Sequence, residues 1–215
     1  MSILGFLKKN NYGKRRITKE SVEEYLKKNY EAEAPVLIKE KCLDLQPLLQ
    51  DDYGVNNCCS ITSITAALMN TGITGNESPI AKETFDRVHK NAKHFFFGKR
   101  GTNPFMIKPI FDRTLKQYGA RAHTGFGFMK GLGVRFSDIE KKINAGTPLV
   151  FSLLWDGLGF YSDHTMLIVG YAVYSDKGKN HRFLLLHDNW AKTVSYLDFD
   201  RLPPVCSVNW CGNRT

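Results

Sequence analysis

Small and apolar residues from Cys59 to about Asn70 predict a helix buried on most sides, with Gly72 as its stop. Residues 79–93 and 104–118 carry apolar positions at helical spacing and predict two amphipathic helices, the second ending at Gly119. Two capping-box patterns, Ser21-Val22-Glu23-Glu24 and Ser137-Asp138-Ile139-Glu140, predict further helix starts. The first helix runs to about Lys28 and the second closes at Gly146. Beyond Gly146 the pattern changes: residues 149–154, 165–174, 183–187 and 194–199 are apolar or β-branched runs divided by turn residues, and they predict strands. Residues 31–57 read as irregular, with Asp51-Asp52-Tyr53-Gly54 and Asn56-Asn57 as turn chemistry, and residues 125–133 read as a flexible glycine-rich loop.

Helices gathered early and strands late predict an α+β fold, in which an N-terminal helical layer packs on a C-terminal antiparallel sheet. The expected organisation is a basic arm and short helix over residues 1–30, then one domain over 31–215. Within that domain the helical part covers about 50–146 and the sheet part about 147–215.

Hydrophobic residues at 42% and charged residues at 24% exclude a disordered chain. The longest nearly uncharged apolar stretches are strand-sized, far short of the roughly 20 residues that cross a bilayer, so no transmembrane segment is expected. Residues 2–7 are too short for a secretory signal core. Thirty basic against 21 acidic residues give a net charge of +9, concentrated at Lys8-Lys9 and Lys14-Arg15-Arg16. That cluster reads as a solvated arm, with contact to an anionic surface as its functional alternative. No zinc-finger spacing or aromatic RNA-binding signature accompanies it, so no specific nucleic-acid partner is expected.

Five cysteines leave at least one free thiol and favour a reducing compartment, cytoplasmic over secreted. Cys42, Cys206 and Cys211 read as core thiols, with a Cys206–Cys211 disulfide as the alternative. No Cys-x-x-Cys or His-x-x-x-His pair offers a metal site, and Gly125, Gly127, Gly131 and Gly133 miss the dinucleotide spacing, so neither metal nor organic cofactor is expected.

The adjacent pair Cys58-Cys59 lies where the 54–57 turn gives way to the apolar helix. A thiol is nucleophilic as the thiolate, which a helix N-terminus and a neighbouring imidazolium both favour. The helix field supplies at most about 2 kcal/mol, roughly 1.5 pK units, so an imidazole is needed as well. His164 opens an apolar strand, and the following strand ends in His187-Asp188-Asn189-Trp190. If these strands form a hairpin, Asp188 or Asn189 approaches His164 and fixes its tautomer. His187 points to the other side of its strand. The sequence picks out no partner for His89, His94, His123 or His181, and surface placement is the expectation for them.

A helix-initiating cysteine, then His164-x-x-x-x-x-Gly170-Tyr171, then Asp188-Asn189-Trp190 resembles the order in papain-like cysteine peptidases. Asn57-Cys58-Cys59-Ser60-Ile61-Thr62-Ser63, with Gly72 closing the helix, is most similar to the bacteriocin-processing-peptidase-like branch. The resemblance implies a thiol hydrolase, in first place a peptidase acting on peptide or protein through a thioester. Its nucleophile is Cys59, with Cys58 as the alternative one position away, and the partners are His164 and Asp188. The family's oxyanion-hole glutamine position holds Tyr53, which leaves Tyr53, Asn56 and Asn57 as donor candidates. The Gly-Pro expected after the nucleophile is replaced by Ser60-Ile61. Fast alkylation of Cys59 already at pH 5–6, slowed sharply in His164→Ala, would mark a thiolate–imidazolium pair. The rivals are an amidase or acyltransferase on the same fold and a catalytically inactive peptide-binding module.

Overall fold

The computed structural model describes residues 16–75, 78–92, 102–153 and 163–213. Among them, five helices surround one seven-stranded sheet, all of whose pairings are antiparallel. The helices are α1 (Val22–Tyr30), α2 (Cys59–Asn70), α3 (Ser78–Ala92), α4 (Pro104–Gln117) and α5 (Phe136–Asn144). The strands are β1 (Val36–Cys42), β2 (Ala122–Phe128), β3 (Leu149–Leu153), β4 (His164–Asp176), β5 (Lys179–His187), β6 (Ser195–Asp198) and β7 (Cys206–Asn213). They lie in the order β2-β7-β3-β4-β5-β6, with β1 paired to β4. The fold is α+β.

Two apolar layers explain the long uninterrupted runs. On one face of the sheet, Val150, Leu167 and Val169 pack with Ile61, Ile64 and Leu68 of α2, Phe85 of α3 and Ile107 and Phe111 of α4. On the other, Phe151, Met166 and Ile168 meet Phe136, Ile139 and Ile143 of α5. The helices therefore lie on both faces, α5 alone behind. A strand covered on both sides loses its polar alternation, and the first 11 residues of β4 are buried. Every residue of α2 from Ser60 to Met69 is buried, as its small apolar composition anticipates.

Several local expectations are corrected. The stretch read as irregular contains β1, an edge strand whose Lys39, Glu40 and Lys41 hid it. It pairs by backbone with 170–175 of β4 and buries little side chain. The glycine-rich stretch is likewise a strand: β2 pairs with β7 from Ala122 to Phe128. Its glycines are spaces. A Cβ on Gly125 would fall 2.0 Å from the Trp210 ring, and one on Gly127 2.0 Å from the Gly133 carbonyl oxygen. Gly127→Ala meets backbone that cannot swing aside. It is expected to cost about 1–3 kcal/mol, read as a lower midpoint in thermal unfolding.

Neither capping box forms where the sequence placed it. The Ser21 hydroxyl accepts the Thr18 amide at 2.8 Å, within a one-turn 3-10 helix ahead of α1, and α5 starts one residue before Ser137. Cys206 and Cys211 are both free; they lie five residues apart on one strand, an odd number that sends them to opposite layers. Cys42 is exposed rather than core. His181 is buried, its ring 4.4 Å from that of Tyr30. Residues 1–15, His94 and the far ends of the 79–93 and 149–154 expectations fall outside the described residues.

The segment from Arg16 to Tyr30 is fastened to the sheet's β6 edge. The Tyr196 amide donates to the Ile17 carbonyl at 2.8 Å. Tyr25 and Tyr30 both donate to Oδ2 of buried Asp198, at 2.9 and 2.6 Å. Val22 and Leu26 enter the helix-side core.

Candidate active site

Cys59 is the first residue of α2 and is partly exposed at its N-terminus. The first intrahelical bond runs from the Thr62 amide to the Cys58 carbonyl, so the amides of residues 59–61 belong to the unbonded first turn. His164, the first residue of β4, comes to the same place because β4 packs against α2. Burial pushes the Cys59 thiol up. The hydrogen bond and charge of His164, the Thr165 main-chain amide and the Ser60 hydroxyl pull it down further than that, to about 7. The thiolate thus predominates above neutrality. Burial is the opposing effect that spacing does not reveal.

His164 is itself held on two sides. Its Nε2 lies 2.8 Å from the main-chain carbonyl of Asp188. A carbonyl only accepts, so Nε2 carries the proton and Nδ1 is left for the thiol. The Trp190 ring stacks on the imidazole at 3.9 Å and 15°. The Asp188 carboxylate, wholly buried, accepts the Trp190 amide at 3.1 Å, the Ala191 amide at 3.3 Å and the Ser195 hydroxyl at 3.3 Å, and it forms an ion pair with Arg16. Asn189, in a left-handed conformation (φ 64°), turns its amide inward. Its Nδ2 donates to the Cys59 carbonyl at 3.2 Å, Ser63 Oγ at 2.8 Å and the Thr165 carbonyl at 3.0 Å. Asn189 thereby straps the start of α2 to β4.

The sequence model of the Peptidase_C39 like family matches residues 42–200, about three quarters of the chain. The chain belongs to the Peptidase_C39 like family. That family is papain-like, and the matched span contains Cys59, His164 and Asp188. No curated protein matches the chain.

In this Peptidase_C39 like domain the remaining candidates are placed as follows. Cys58 is buried, donating to the Gln50 carbonyl and accepting from Thr62 Oγ1, each at 3.6 Å, and burial raises its thiol. The Tyr53 ring stacks face to face on Phe85 of α3 at 3.9 Å, and burial pushes its hydroxyl up to about 12. Asn56 and Asn57 are exposed just ahead of the helix, Asn57 with φ 56°. His187 is buried, and burial lowers its imidazole. Ser60, Thr165 and Ser152 form a buried hydroxyl chain with links of 2.9 and 3.0 Å beneath Cys59. Among the described residues no three His, Cys, Asp or Glu side chains gather to hold a metal ion, and no helix is long and apolar enough to cross a membrane.

Sequence reasoning missed two groups here. Arg16, expected in a solvated basic arm, pairs instead with buried Asp188, and no pattern in the sequence distinguishes it from Lys14 and Arg15. The other is the Asp188 main-chain carbonyl at His164 Nε2, an orienting atom that belongs to no side chain.

Proposed function

We propose that this chain is a cysteine peptidase in which the Cys59 thiolate attacks a peptide carbonyl. The observation that carries the reading is the thiol at a helix N-terminus, lowered by a histidine that is itself fixed from behind. Cys59 Sγ bonds to the carbonyl carbon and the tetrahedral oxyanion is met by first-turn amides of α2. As the C–N bond breaks, the His164 imidazolium gives its proton to the leaving amine, and a thioester is left on Cys59. Water then adds with His164 as base, releasing the acid and restoring the thiolate. Asp188 holds the imidazole through its main chain, with its carboxylate fixing the turn that presents that carbonyl. Cys58 is set aside as nucleophile because it is buried and its thiol raised.

A second reading, an inactive peptide-binding module, is favoured by one observation. Tyr53 stands at the glutamine position and its ring is taken up in stacking on Phe85. Digestion of a complex peptide mixture, with new termini read by mass spectrometry, separates the two. New termini that need a free thiol support the peptidase. Peptide retention with no new termini, in protein of intact thiol titre, supports the module.

A further inference from the structure

We infer that Arg16 is a positioning residue for the Cys59–His164 site, acting through the buried carboxylate of Asp188; this rests on the reading of those residues given above. Two main-chain amides and a hydroxyl solvate the Asp188 carboxylate but bring it no cation. Arg16 brings one. Its guanidinium pairs with Oδ2, with 13% of the Arg16 side chain exposed and none of Asp188. Removing the guanidinium takes a hydrogen-bonded cation from a wholly buried carboxylate, which strains the turn around it.

That turn frames the imidazole. Asp188 offers its carbonyl to His164 Nε2, and two residues later Trp190 lays its ring on the same imidazole. A carboxylate that loses its cation pulls on the amides of Trp190 and Ala191, and the position of His164 goes with them. Among the described residues, the charged or titratable groups about Asp188 include Arg16 from the segment ahead of α1, His164 from β4 and His187 from β5; β6 contributes the neutral Ser195.

The guanidinium is delivered from a remote place in the chain, 172 residues before its partner. The Ile17–Tyr196 bridge sets its backbone on the β6 edge. Lys19, by contrast, pairs with Glu40 on the surface at 2.7 Å, well exposed. It anchors the same segment without touching Asp188.

The test is the pH profile of iodoacetamide alkylation at Cys59, followed by peptide mass spectrometry on the full chain. Protection of buried Cys211 serves as the check of folding. R16M is expected to slow Cys59 alkylation at pH 7 about fivefold, the effect there of a one-unit rise in a thiol that starts at about 7. R16K restores most of the rate, and K19M leaves the profile where it was. In a D188N background, adding R16M changes the rate less than about twofold, since there is no charge left to compensate. R16Q takes the place of R16M, with the same outcomes, if R16M does not fold. A folded R16M that superimposes on the wild type overturns the inference, as does an undiminished R16M effect in D188N. Those results leave the Cys59–His164 reading standing. A wild-type Cys59 no faster than exposed Cys42 at pH 7 overturns that reading and this inference with it.

Discussion

Cys59→Ala is expected to abolish the cleavage of peptides while leaving the fold in place. In enzymes of this logic, loss of the nucleophile alone removes on the order of 10⁴- to 10⁶-fold in turnover, because the other groups act only through it. The residue is partly exposed at a helix start, so losing its one sulfur costs the fold little. Cys58→Ala is the matched contrast. It takes a buried sulfur from between Gln50 and Thr62 and costs about 1 kcal/mol of stability, yet leaves cleavage within a few-fold of wild type. Initial rates on one cleaved peptide, with unfolding midpoints for both variants, check the pair. Loss of activity in Cys58→Ala with retention in Cys59→Ala would overturn the assignment of the nucleophile.

His164→Ala is expected to move the Cys59 thiol upward, toward its ordinary value near 9. In the native site burial raises the thiol and His164 supplies the two largest opposing effects. With the imidazole gone, the Thr165 amide and Ser60 hydroxyl are left against burial. A group lowered to about 7 is half thiolate at pH 7, whereas one near 9 is about 1% thiolate there. Alkylation of Cys59 at pH 7 should therefore fall up to about fifty-fold, with the two profiles converging above pH 10. Thiolate absorbance measured against pH gives the same comparison without an alkylating agent. Coincident profiles would remove His164 from the pair.

The parts of the fold legible in the sequence are those whose side chains carry the reason for the backbone. Helix α2 declares itself because ten consecutive small or apolar residues must be enclosed, and β4 because both its faces are covered. Strands β1 and β2 were not legible, since backbone pairing and close approach hold them. Lys39 and Lys41 mask the first, and in the second Gly125 and Gly127 mark the crowding by Trp210 and Gly133 rather than freedom. The candidate site divides in the same way. Cys59 and His164 stand at element boundaries marked by composition, and the structure brings them together. Arg16 meets Asp188 only through tertiary folding, and a main-chain carbonyl has no letter in the sequence.

The place of β7 in the sheet has a consequence for synthesis. It is the last of the seven strands in chain order, yet it is inserted between β2 and β3. Until residues 206–213 leave the ribosome, both of those strands expose an unsatisfied edge, and β2 with its α4 contacts has no link to the rest of the sheet. At about 5–20 residues per second, roughly 7–30 s separate the emergence of Cys59 from that of β7. The thiol is thus made early and enclosed late. A nascent chain arrested in that interval carries two open strand edges, which are templates for pairing with another copy.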